Sequence, residues 1–236
     1  MNLIKPHWPA PPNIHAWSTL RSFGNLTHAE NRLFLQEKLH LPNEPIWLKQ
    51  IHSGKVVTAS KNNLNAEADA SYSSDANQIC IIQTADCLPI LLCDQTGKHV
   101  AAIHAGWRGL VAGVIENTIE AMSINPQTLL AWIGPGISGD VYEIDDVVRD
   151  HFLAKINKIE DAFKPSQPGH WFLNLSLIAN TLLSQQGVQQ VYRSNYCTYS
   201  DQENFFSYRR DGKNTGRQAS LIFFGHFRRR HISIST

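Results

Sequence analysis

The run ICIIQTADCLPILLCD (79–94) is apolar at odd and even positions alike. A strand with one face in water alternates apolar and polar residues, so a strand without alternation is covered on both faces. Pro89 lacks the amide that a ladder needs and splits the run, which predicts two strands meeting at Asp86 and Cys87. KHVAAIHAG reads as another buried strand. Such strands need material on both sides of their sheet.

Strand and helix patterns alternate through the rest of the 236 residues, with no repeat, low-complexity linker or shift in composition. One domain over 1–236 is therefore expected, with its core at about 14–224 and a basic tail at 225–236. Strands are expected at IHAWSTL and PIWLKQIH, on either side of a helix over HAENRLFLQEKLH that is apolar at Leu33, Phe34 and Leu39. After KHVAAIHAG, apolar Leu110, Val114, Ile115, Ile119 and Met122 recur at helical spacing, giving a strand, turn and helix unit. LLAWIGPG is a strand closed by a Gly-Pro-Gly turn, and Asp140 with Glu143 fits the capping box of a helix to follow. A helix over LSLIANTLLSQQG ends at Gly187, where a left-handed backbone is sterically cheap. FFSYRR and QASLIFF flank DGKNTG as the strands of a hairpin would.

Lysine and arginine (21) nearly balance aspartate and glutamate (20), for a formal net charge of +1. No basic footprint steers such a chain to nucleic acid or to an anionic membrane, and a small polar ligand is the better expectation. No apolar run approaches the roughly 18 residues of a membrane span. MNLIKPHWPAPP places prolines where a secretory leader needs an unbroken apolar run, so a cytoplasmic protein is expected. Four cysteines in a chain this long make no disulfide framework, and Cys80, Cys93 and Cys197 are expected as small core residues.

His52, Cys87 and His104 lie close to glycine or proline at expected strand ends. Imidazole and thiolate bind zinc, and catalytic zinc sites take three protein ligands and keep a fourth position open. The separations of the three match no zinc-finger spacing, so the residues alone leave ordinary core or surface histidines as the alternative. In HAGWRGLVAG, Gly106 and Gly109 stand where strand gives way to helix, with Arg108 inside the turn, so backbone amides there can converge on an anion. Glycines serving only a tight turn are the other reading. The pattern is neither GxGxxG nor GxxxxGK, which leaves Rossmann and P-loop nucleotide binding without support. Arg209 and Arg210 would alternate faces on a strand, so at most one enters a site. Asp86 either orients a ligand histidine or caps a turn.

WLKQIH, ADASYS, TADCLPILL, HAGWRGL, WIGPGI and CTYSDQENFFSYRRD stand in the order of the blocks of a known family. The chain resembles the YfiH-like laccase-domain proteins from about Ile14 to Phe224. The resemblance implies an α/β (α+β) domain of layered type, with two central mixed sheets between helices in an α/β/β/α order. It implies a metal held by His52, Cys87 and His104, and it matches Arg21 to an arginine near the pocket. The implied activity is zinc-dependent phosphorolysis of adenosine, inosine and methylthioadenosine, with adenosine deamination alongside; Asp86 is then the candidate general acid. Phosphate and nucleoside fall to Arg21, Gly106, Arg108, Gly109 and Arg209. Leu20-Arg21-Ser22-Phe23-Gly24 replaces the family's Thr-Arg-x-Gly-Gly, the following segment is shorter, and Ser53 replaces a glycine.

Three other functions compete. A multicopper laccase needs paired HxH histidines and the chain has none, so phenol oxidation would reflect adventitious Cu2+ at the His/Cys site. A cysteine hydrolase acting on a cell-wall precursor would use Cys87 as nucleophile, His104 as base and Asp86 as orienter. A non-catalytic module held together by structural zinc would want four protein ligands, of which three can be named.

Overall fold

The computed structural model describes residues 3–225. The basic tail, apart from Gly225, lies outside the described residues. The chain starts with β1 (Leu3–Ile4), β2 (Ile14–Thr19), α1 (Ala29–Lys38), β3 (Val56–Thr58), β4 (Ala70–Ser73) and β5 (Cys80–Thr84). It continues through β6 (Leu88–Asp94), β7 (Val100–Ala105), α2 (Trp107–Val111), α3 (Val114–Met122) and β8 (Leu129–Ile133). Then come β9 (Glu143–Asp145), α4 (Asp146–Leu153), β10 (Phe163–Pro165), β11 (His170–Leu173) and α5 (Leu175–Gln185). The last elements are β12 (Gln190–Arg193), α6 (Tyr208–Asp211) and β13 (Gln218–Phe224).

A mixed six-stranded sheet, in the order β12-β8-β6-β7-β4-β3, faces a four-stranded sheet, β1-β2-β13-β5. The parity of the strands explains the layering. Even residues Leu88, Ile90 and Leu92 of β6 pack with odd Ala101 and Ile103 of β7 against Ile115 and Ile119 of α3 and Ile178 and Leu182 of α5. Odd residues Leu91 and Cys93 meet Ile82 of β5 and Ile222 of β13 on the other side. The outer face of the smaller sheet, with Ile81, Leu221 and Phe223, is closed by Leu35 and Leu39 near α1. The result is helix, sheet, sheet, helix, as expected. Each such buried aliphatic side chain contributes about 1.5–3 kcal/mol. The smaller sheet is antiparallel throughout, and a third sheet, β10-β11-β9, lies outside the two central ones.

Four local expectations are corrected. PIWLKQIH forms isolated bridges at Ile46 and Lys49 in place of a strand. The Gln50 side chain takes over the ladder's role, accepting from the Gln83 amide at 2.7 Å and donating to the Gln83 carbonyl at 2.7 Å. Asp140 and Glu143 do not cap a helix: residues 143–145 pair with β11, and Asp145 caps α4 by accepting from the Val148 amide. FFSYRR is no strand, because β2 and β5 already occupy both edges of β13. Ser207 instead caps the short α6. The helix after β7 is divided into α2 and α3 at Gly113, whose φ is +80°. Gly187 does end α5 with a φ of +90°.

Candidate functional site

β5 belongs to one sheet and β6 to the other, so the chain changes sheets at residues 85–87. Asp86 makes this crossing with a φ of +90°, uncommon for a residue with a side chain, and Cys87 follows at the start of β6. His104, next to last in β7, is paired with Pro89 of β6. Cys87 and His104 both have the parity that faces the second sheet. His52 comes from the loop before β3, also with a left-handed backbone, at φ +59°.

The three side chains converge. One ligand atom from each of His52, Cys87 and His104 lies within 4.8 Å of the others, with His52 Nε2 3.9 Å from Cys87 Sγ. A tetrahedral zinc ion with Zn–N near 2.0 Å and Zn–S near 2.3 Å separates its ligand atoms by roughly 3.3–3.6 Å, so rotamer adjustments that bring the atoms together by about 1 Å close the set. Gly106 makes the room, since a Cβ there would lie 2.7 Å from Cys87 Sγ and 3.2 Å from His52 Cδ2. Gly106→Ala is expected to weaken metal binding about tenfold or more, read by competition with a chromophoric chelator, because the sulfur has to leave its position. Unchanged affinity would show that the cluster tolerates a displaced thiol.

A residue absent from the sequence reading organises the set. Asp69 is fully buried, and its Oδ1 lies 2.8 Å from His104 Nδ1 and accepts from the His52 amide at 2.9 Å. Its Oδ2 accepts from the Ser53 amide at 2.6 Å and the Ser53 hydroxyl at 2.8 Å. One carboxylate therefore shapes the strained His52 turn and turns His104 Nε2 toward the cluster. Burial alone would raise the Asp69 carboxyl, but His104 and Ser53 outweigh it and hold it down to about 2. This contribution to stability is present above pH 3.8 and is lost as pH falls through about 2.

Burial likewise opposes ionisation of the Cys87 thiol, yet His104 and then His52 bring it down to about 6. Burial lowers His104, and Cys87 with Asp69 raises it to about 9. Between these values the metal-free pair is thiolate and imidazolium. Metals bind neutral imidazole, so loading at pH 7.5 is expected to expel about one proton, from His104. Calorimetry in two buffers of different ionisation enthalpy measures it. Below pH 6 the thiol also holds its proton, and affinity drops further.

Asp86 does not orient a ligand histidine. Its oxygens accept from Thr198 Oγ1 at 2.7 Å and from the Arg209 amide at 2.6 Å, so it ties the 196–209 segment to the sheet crossing. Arg209 lies on α6, with its guanidinium donating to the Glu143 carbonyl at 2.8 Å and standing 4.9 Å from the Tyr142 ring. Arg210 serves the loop, donating to the carbonyls of Thr198, Tyr199 and Phe205. The half-buried Tyr142 was missed. Burial raises its hydroxyl pKa first, the Cys87 thiolate and Asp86 add to that, and Arg209 and Arg108 oppose, which places all five in one electrostatic neighbourhood. Arg108 is exposed beside the Trp107 ring at 4.3 Å. Gly109 is buried, and a Cβ there would lie 3.4 Å from both the His104 and the Ser53 carbonyl oxygens. Arg21 contacts the 202–211 segment: the Gln202 carbonyl, the Phe206 ring and Asp211. Cys80 and Cys93 are buried core thiols, whereas Cys197 is half-buried and accepts from the Ser138 amide at 3.4 Å.

Fold and cluster define a layered α/β protein with a group of side chains able to hold one metal ion. The chain belongs to the family described as multi-copper polyphenol oxidoreductase laccase, which matches residues 26–225. It is 40% identical over 244 residues to a purine nucleoside phosphorylase of Haemophilus influenzae, covering 95% of this chain and 100% of that one. It is also 40% identical to the purine nucleoside phosphorylase YfiH of Escherichia coli, over 94% of this chain and 98% of the relative. The crystal structure of protein NMB0706 from Neisseria meningitidis superposes with a TM-score of 0.91 at 40% identity, over 96% of this chain and 100% of that one. Among the described residues no helix is long and apolar enough to cross a membrane.

Proposed function

We propose that the chain is a zinc-dependent purine nucleoside phosphorylase, working as one domain in the cytoplasm. It converts adenosine, inosine or methylthioadenosine and phosphate to free base and pentose 1-phosphate, with adenosine deamination alongside. The observation that carries this reading is the His52–Cys87–His104 cluster beside two arginines, in a chain whose relatives are named purine nucleoside phosphorylases. In phosphorolysis a phosphate oxygen bonds to C1′ as the bond from C1′ to the base breaks, and the base leaves with the electron pair and takes a proton. Arg108 and Arg209 supply the positive charge that a phosphate needs. Tyr142, kept protonated, is a hydrogen-bond donor at the same place. His52, Cys87 and His104 would hold the zinc ion, whose chemistry is Lewis-acid stabilisation of developing negative charge. Asp69 keeps His104 and the His52 turn in position.

Inosine or adenosine with phosphate, assayed for free base and pentose 1-phosphate, tests the reading. Equal amounts of the two products are expected from zinc-loaded protein, together with loss of activity in strong chelator. Release of no base by protein with one zinc per chain would overturn it.

A second reading has its own observation. Cys87, His104 and Asp69 line up as nucleophile, base and orienter, with the thiol already acidic. A cysteine hydrolase of that kind keeps its activity in chelator. The copper oxidase reading has less support, because the described residues contain one three-residue cluster and a multicopper centre needs several.

A further inference from the structure

Asp86, at the crossing between the two sheets, is buried and bound to three separate segments. Its carbonyl accepts from the Ile137 amide at 2.9 Å, in the turn after β8. Its Oδ1 accepts from Thr198 Oγ1 at 2.7 Å, and Thr198 is itself fully buried. Its Oδ2 accepts from the Arg209 amide at 2.6 Å, in α6. The segments also meet one another: the Thr198 amide donates to the Gly136 carbonyl at 3.0 Å, and a Cβ on Gly136 would lie 3.1 Å from the Asp86 carbonyl oxygen. A φ of +90° costs a residue with a side chain free energy and persists only where the surroundings over-determine it. Glycine would adopt this backbone freely, so what the strained residue contributes is its carboxylate.

Both carboxylate oxygens are occupied as acceptors, which makes the group an anchor and not a proton donor. What it anchors is Arg209. That residue is held at both ends, its main chain by Asp86 and its guanidinium by the Glu143 carbonyl at 2.8 Å beside the Tyr142 ring at 4.9 Å. Among the described residues the guanidinium spends one of its five N–H groups in this way, so the exposed side chain keeps donors for an anion. The next residue along the chain from Asp86 is Cys87, of the metal cluster. One short stretch of backbone therefore sets the cluster and the arginine relative to each other.

We propose that Asp86 is a positioning residue that fixes Arg209 relative to the Cys87 end of the cluster, and so governs binding of an anionic substrate while touching neither that substrate nor the metal. The identity of the anion as phosphate rests on the phosphorylase reading. A misplaced charged group of this kind costs affinity even where the rest of the site is intact.

The test is calorimetric titration of the zinc-loaded full chain with inorganic phosphate, alongside zinc content and the KM values for phosphate and inosine. Asp86→Gly keeps the backbone and removes both side-chain bonds. It is expected to weaken phosphate about tenfold, the loss of one good hydrogen bond, and to hold one zinc per chain with the inosine KM unchanged. Asp86→Asn is the rescue. Its amide oxygen accepts from the Arg209 amide, its NH2 donates to Thr198 Oγ1 once that hydroxyl turns round, and asparagine tolerates positive φ. Phosphate affinity and turnover within about threefold of the wild type are expected, whereas a general acid at this position would lose turnover in the same variant. In an Arg209→Ala background, Asp86→Gly is expected to change phosphate affinity no further, which loss of stability alone would not produce. Phosphate binding that depends on Asp86 in a protein that releases no base would support the proposal and overturn the phosphorylase reading alone. Wild-type protein that binds no phosphate, an asparagine variant as impaired as the glycine one, loss of zinc in place of phosphate, or additive effects of Asp86→Gly and Arg209→Ala would each overturn the proposal.

Discussion

Replacing Cys87 or His104 with alanine is expected to strip the metal from the protein and to lower nucleoside phosphorolysis on the order of 10³-fold, the size of several kcal/mol of lost charge stabilisation. The two variants differ in what else they disturb. Cys87→Ala exchanges one small side chain for another at a half-buried position and is expected to cost under about 1 kcal/mol in the metal-free protein. His104→Ala removes one of the two donors to Asp69 Oδ1 and opens a hole in β7, so a loss of about 2–3 kcal/mol is expected. Zinc content by mass spectrometry, denaturant melts and product assay on the same preparations separate these effects. A Cys87→Ala protein that retains stoichiometric zinc and full activity would remove the thiol from the site.

Asp69→Ala is expected to be the most destabilising single change near the cluster, at about 3–5 kcal/mol. It strands the His52 and Ser53 amides, the Ser53 hydroxyl and the His104 ring together, and Asp69 is wholly buried. Asp69→Asn divides the two roles of this carboxylate. The amide oxygen still accepts from the His52 turn, while the charge that raises His104 is gone, so metal affinity is expected to fall about 10–100-fold with a smaller loss of stability. The pH dependence checks the assignment independently. With Asp69 the stability falls steeply on acidification toward about pH 2, and in the asparagine variant that component is absent. An alanine variant as stable as the wild type would contradict the account of how the His52 loop is held.

Much of the architecture was written in the parity of residues 79–105. Strands apolar on both faces had to lie between layers, and the junction expected at Asp86 and Cys87 is where one sheet hands over to the other, although Pro89 itself lies inside β6, opposite His104. The three candidate ligands were readable for a related reason, since they stand at or near that crossing and the ends of its neighbours. Asp69 was not readable, because an aspartate between two alanines next to a strand looks like any turn residue until distant His52, Ser53 and His104 close around it. Asp86 drew that role by adjacency to Cys87, and the fold turns its carboxylate away, toward Thr198 and Arg209. Tyr142 is hidden in the sequence because 140–143 reads as a helix start, whereas pairing of β9 with β11 decides the backbone there. The α6 segment is not legible in the sequence, because alternation in FFSYRR indicates a strand while β2 and β5 occupy both edges of β13.

The most direct test of the central claim is X-ray absorption spectroscopy of the zinc-loaded chain. The account predicts one sulfur at about 2.3 Å, two imidazole nitrogens at about 2.0 Å and one further light atom. A spectrum without sulfur, or with more than one sulfur per zinc, would contradict a metal shared by His52, Cys87 and His104.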